Sequence, residues 1–188
     1  MKHFKVLLAS VITMTILSCG GGTSNQPANA KGFANIENEL KSEFGESAYY
    51  TDIMISHDDR MGNIVSLTVT DAPETMKMGQ WNLLQNNWTQ SSEVMLEVPD
   101  GTQAKDFMFQ LDDNINLTTV GQLIEQSSKK LTEEKSIENP KLYTALVKFP
   151  KNGDASKMEY AINLKPENGG TTFRFYYTLS GELVKMDY

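Results

Sequence analysis

Few side chains in this 188-residue chain can act as nucleophile, base or soft metal ligand: one cysteine, Cys19, and two histidines, His3 and His57. Covalent and acid–base catalysis draw on such groups, placed beside a partner that activates them. His57 has carboxylates next to it in Ser56-His57-Asp58-Asp59-Arg60-Met61-Gly62. That run joins two alternating apolar stretches, and Asp and Gly there are turn chemistry. Zinc sites draw on several His and Cys ligands, which this chain does not have. Asp112-Asp113-Asn114-Ile115-Asn116 is as oxygen-rich as a calcium loop. Counted from Asp112, however, Leu117 stands where glycine must make the sharp turn and Leu123 where glutamate must close the loop. No phosphate loop, dinucleotide fingerprint or serine elbow is present. The sequence therefore predicts no catalytic residue, no metal and no cofactor: a protein that is not an enzyme.

What remains is binding chemistry. Phe173, Phe175 and Tyr177 alternate with Arg174 and Tyr176, so in a strand one set faces inward and the other outward. Extended to neighbouring strands, the outward set gains Asn163, Lys165 and Lys185. Tyr and Arg on an exposed surface are favoured binding anchors, and Arg174, Tyr176, Lys165 and Lys185 form the candidate binding face. The alternative is that they serve cross-strand pairing and solubility alone. Trp81 and Trp88 flank Asn86-Asn87 and read as core packing, with an exposed aromatic tip as the alternative.

Composition limits the partners. An apolar share of 39% supports an ordinary globular core. The formal net charge is −7, and without residues 1 to 18 the balance is 15 basic against 24 acidic residues, or −9. Such a surface repels phosphate backbones, so nucleic acid is not an expected partner. A single cysteine forms no internal disulfide.

The first residues read as an address. Met1-Lys2-His3-Phe4-Lys5 is basic, and Val6 to Leu17 is an apolar run of 12 residues. A membrane span needs about 20, whereas 12 suits the core of a signal peptide. Ile16-Leu17-Ser18-Cys19-Gly20 then resembles the lipobox of bacterial lipoproteins, with a branched apolar residue three before the cysteine and a small one immediately before it. The resemblance implies removal of residues 1–18, a diacylglycerol on the Cys19 thiol and acylation of the new amino terminus. Each buried methylene contributes roughly 0.8 kcal/mol, and more than one chain is needed for stable anchoring. Residues 19–32 are then the lipidated cysteine and a Gly, Ser, Asn and Pro-rich tether, expected to be flexible. Gly20 is not acidic and no acidic run follows Cys19, which by analogy with lipoprotein sorting implies the outer membrane facing the periplasm, with surface display as the alternative.

The elements that would position a site follow from periodicity. Phe33, Ile36, Leu40 and Phe44 make one helical stripe ending at Gly45. Ile53 and Ile55, then Val65, Leu67 and Val69, predict a hairpin around Asp58–Gly62. A second hairpin follows around Asn86-Asn87, its last strand alternating Val94, Leu96 and Val98. Thr119 with Gln122 fits a capping box for a second helix striped by Val120, Leu123, Ile124 and Leu131. Four strands, broken at Asn152-Gly153, Asn168-Gly169-Gly170 and Ser180-Gly181, complete the chain. The fold class is α+β: two tandem units of one helix and four strands, 33–98 and 117–188, with helices on one face of antiparallel sheet. Residues 99–116 connect them, and Phe107, Met108 and Phe109 are expected to be buried under the second helix.

This order resembles the helix-plus-four-strand repeats of the beta-lactamase-inhibitor-like and PepSY-like superfamily of exported bacterial proteins, and Phe173-Arg174-Phe175-Tyr176-Tyr177 to Tyr188 resembles their final hairpin. Cystatin-like domains share the order. The resemblance implies a lipid-anchored module that binds an envelope protein through an exposed sheet face, as inhibitor or accessory. The alternative is a small-molecule or lipid carrier, its cavity between helices and sheet and lined by some of the 10 methionines.

Overall fold

The computed structural model describes residues 22–150 and 153–188. The signal segment 1–18 and Cys19 lie outside the described residues. Helix α1 (Ala30–Phe44) leads into strands β1 (Tyr49–Asp58), β2 (Gly62–Thr70), β3 (Lys77–Leu84) and β4 (Asn87–Met95). Helix α2 (Leu117–Lys135) leads into β5 (Lys141–Lys148), β6 (Glu159–Lys165), β7 (Phe173–Thr178) and β8 (Leu183–Asp187). The strands form one eight-stranded antiparallel sheet in the order β4-β3-β2-β1-β5-β6-β7-β8. The α+β class is as the sequence predicts, and the sheet is continuous across the middle. There β1 pairs with β5 from Asp52↔Lys148 to Ser56↔Thr144.

Period-2 patterning decides the faces. Ile53, Ile55, Val65, Leu67, Leu83, Ala145, Val147, Tyr160, Ile162, Phe175 and Tyr177 are all buried on the face the helices cover. Phe33, Ile36 and Leu40 from α1 and Val120, Leu123, Ile124 and Leu131 from α2 meet them there in one core. The layer in which the carrier alternative places its cavity is thus filled with side chains. Both tryptophans belong to this packing: Phe44 lies edge-on to Trp81 at 5.5 Å and to Trp88 at 5.0 Å.

The helices begin against each other, each supplying a carboxylate to the other's first turn. Glu37 Oε2 accepts from Leu117 N at 2.7 Å, and Glu125 Oε2 accepts from Ala30 N at 3.2 Å. Helix N-terminal N–H groups have no partner within their own helix, and the macrodipole there favours negative charge. Glu37 is buried, and Lys41 Nζ donates to its other oxygen at 2.7 Å. The contacts 117 with 37 and 121 with 29 and 30 mean that the helices run past each other in opposite senses. The cap of α2 differs from the expected Thr119–Gln122 box: the side chain of Asn116 accepts from Thr119 N, so the helix starts three residues earlier.

Three other expectations change. The turn of the second hairpin is Gln85-Asn86, at φ 50° and 64°, one residue before Asn86-Asn87. The Phe107–Phe109 segment divides between the faces and does not lie wholly under α2. Phe109 joins the helix-side core beside Tyr50, whereas Met108 packs with Met78 and Ala104 in a separate cluster. Residues 22–32 are not a loose tether. Thr23 and Ser24 are buried, and α1 already begins at Ala30, because buried Asn63 fastens the backbone of this segment to β2.

Helix α2 approaches α1 at Gly121, where an added Cβ would lie 2.4 Å from Asn29 O and 2.6 Å from Ala30 Cα. Alanine gains about 1 kcal/mol of helix propensity over glycine, but overpacking costs typically 1–3 kcal/mol, and here the obstruction is backbone. Gly121→Ala is therefore expected to lower the free energy of unfolding in urea, by up to about 2 kcal/mol. A rise in stability would mean that the helices are not in contact at this point.

Candidate functional site

The helices cover one face of the sheet and leave the other open, and its character changes along its length. Across β6 to β8 it carries the residues singled out in the sequence. Asn163↔Arg174↔Asp187 and Ala161↔Tyr176↔Lys185 are cross-strand rows, and Lys165 continues the same face of β6. The four candidate residues are brought together, though the two lysine charges are already engaged. Lys185 Nζ donates to Asp187 Oδ2 at 3.1 Å and lies 4.5 Å from the Tyr176 ring centroid. The bond to Asp187, then that carboxylate's charge, hold the Lys185 ammonium above its ordinary pKa. Lys165 Nζ sits 3.3 Å over the ring of Tyr143, which is exposed. Arg174 is exposed.

Across β1 to β3 the same face holds a cleft that the sequence reading missed. After β4 the chain crosses the open face before reaching Phe109, and the space enclosed is about 620 Å³. Its walls include Met78, Val94, Leu96, Val98, Phe107 and Phe149, and its polar lining includes Thr51, Asp52, Thr68, Gln80 and Lys148. Asp52 and Lys148 face each other across β1 and β5. The Asp52 carboxylate accepts from the Thr51 hydroxyl at 3.0 Å. An apolar pocket with a few polar groups of both signs suits a ligand or side chain that is largely apolar with a polar end. The signal was the alternation Val94, Leu96, Val98, which marks one face of an edge segment but not which face.

At the far end of the sheet, His57 has a structural partner. Asn63 Nδ2 donates to Thr23 O and Gln26 O, so Oδ1 is the atom 2.9 Å from His57 Nδ1, and the ring must carry its proton there. Asp58 closes its turn by accepting from Arg60 N at 2.8 Å and Met61 N at 2.9 Å. Among the described residues no three His, Cys, Asp or Glu side chains gather as a metal site would require. Nor is any helix among them long and apolar enough to cross a membrane.

No family model matches the sequence, and no curated protein does. Among solved structures, the chain is similar to a "putative lipoprotein" from Clostridium difficile 630, with a TM-score of 0.50 over 89% of this chain and 99% of that one. The identity is 11%, so the likeness is one of fold.

The N–H groups of Met61, then Arg60, hold the Asp58 carboxyl below its ordinary pKa. A depressed folded-state value contributes stability above the unfolded value and loses it as pH falls through the folded one. In an NMR titration Asp58 should therefore show a midpoint below that of an unfolded aspartate. Asp58→Ala should lower the urea midpoint at neutral pH and leave it unchanged once the carboxyl is protonated. A midpoint at or above the ordinary value would contradict this.

Proposed function

We propose that the chain is a non-enzymatic binding protein of the bacterial envelope, anchored by lipid on Cys19 and engaging another envelope protein through the helix-free face of its sheet. The observation that carries this reading is the cleft: an apolar-walled space of about 620 Å³ on a face whose other half is polar and charged. An exposed apolar pocket beside tyrosine and arginine is the arrangement in which an anchor side chain of a partner becomes fully desolvated. The partner's buried side chain enters the cleft, and its polar flank lies over Tyr176 and Arg174. Carriage of a small molecule inside the protein is the weaker reading, because the layer between helices and sheet is occupied by Phe33, Leu40, Tyr160 and Phe175.

The element order supports two tandem units of one helix and four strands, each with a hairpin pair, as in the PepSY-like architecture. The outer membrane, facing the periplasm, is the location this reading assigns.

A photo-crosslinking residue introduced in living cells tests the face. Glu97, at the lip of the cleft, and Tyr176 are on the helix-free side; Lys129 projects from α2, its side chain 75% exposed. The expected result is an adduct with one envelope protein from position 97 or 176 and none from 129, reduced by Arg174→Glu with Tyr176→Ala. Adducts from 129 alone, or none from either face, would contradict the proposal.

A further inference from the structure

The segment before α1 is fastened to the tips of the first two hairpins. Gly22 lies against the Asn86 side chain, where an added Cβ would be 2.4 Å from Oδ1. Ser24 N donates to Asn86 Oδ1 at 2.9 Å, and Asn86 N donates to Ser24 Oγ at 3.0 Å. Gly62, at φ 74°, gives Ser24 O its room, since a Cβ there would be 2.1 Å away. Asn63, fully buried, donates to Thr23 O at 3.1 Å and to Gln26 O at 2.7 Å. Thr23 Oγ1 also donates to Glu39 on α1. Only Gly20 and Gly21 therefore separate Cys19 from the fastened residues. Three Cα steps span at most about 11 Å.

We infer that the end of the sheet formed by the Asp58–Gly62 and Gln85-Asn86 turns is the membrane-facing end, held against lipid headgroups, while the cleft sits at the other end, away from the bilayer. This rests on the proposed lipidation of Cys19. Strand β1 runs from Tyr49 to Asp58. Its residues Thr51 and Asp52 line the cleft. From Asp52 to Asp58 the strand advances roughly 20 Å at about 3.3 Å per residue. The anchor is thus at one pole and the binding face opens toward the other. Asp58, Asp59 and Arg60 at the tip leave a net negative charge, so the anchor and strap, not attraction to anionic lipid, impose the orientation.

The test uses the mature lipidated protein in phosphatidylcholine vesicles bearing a quencher on the headgroups. Because Cys19 is the only native thiol and lipid blocks it, Arg60→Cys and Glu97→Cys can each be labelled singly with a fluorophore. The expected result is quenching several-fold stronger at 60 than at 97. A Gly-Ser insert of about ten residues between Gly21 and Gly22, with an r.m.s. span of roughly 17 Å, should remove most of that difference without touching the fold. Equal quenching at the two positions, or a difference that survives the insert unchanged, would overturn the inference. The intact mass reports acylation separately. A chain without acyl mass defeats the reading of Cys19 and this inference with it, whereas an acylated chain with equal quenching defeats this inference alone.

Discussion

The pairing of β1 with β5 is the constraint on which the rest of the molecule depends. Two separate four-stranded sheets would present four edge strands, each a row of unpaired backbone groups open to other chains. Joining the first strand after each helix satisfies two of them and leaves only β4 and β8 at the edges. Both remaining edges carry protective features. β4 is lined with Thr89, Gln90, Ser91, Ser92 and Glu93, and β8 is five residues long with Lys185 at its centre. The seam also makes one core of two, since Ile53 and Ile55 lie beside Val147 and Ala145 under both helices.

The helix pair enforces the same arrangement from above. Glu37 and Glu125 each serve the partner helix's first turn, and Gly121 allows the close approach that brings them there. The strap then ties this layer to the hairpin tips through Asn63 and Asn86. Hairpin tips, helix layer and cleft are consequently parts of one body. With lipid on Cys19, as proposed, such a body would present its open face in a fixed relation to the bilayer, unlike a domain on a long leash.

The sequence made the faces legible because period-2 alternation survives wherever one side of a strand is buried. Ile53, Leu67, Ile162 and Phe175 were readable for that reason, and so were the outward-facing Arg174 and Tyr176. The helix stripes were legible through the 3.6-residue period. Three things were not. Val94, Leu96 and Val98 alternate on an edge segment whose apolar side packs on the open face, and alternation says nothing about which face that is. The Ser, Asn and Gly of residues 22–26 have the composition of a linker; they are ordered by long-range bonds to Asn63 and Asn86, about 40 and 60 residues away, which local pattern cannot encode. Asn116 rather than Thr119 caps α2 because Glu37, 80 residues earlier in sequence, takes up Leu117 N.

If the seam joins the halves into one body, its amides open only when the whole domain unfolds. Hydrogen exchange along Asp52–Ser56 and Thr144–Lys148 measures this most directly. Both strands are expected to exchange among the slowest in the protein, with opening free energies equal to each other and to that of global unfolding in urea. Seam amides that exchange faster than those of β2 and β6, with separate opening energies for the two halves, would show two independently folding lobes and contradict this expectation.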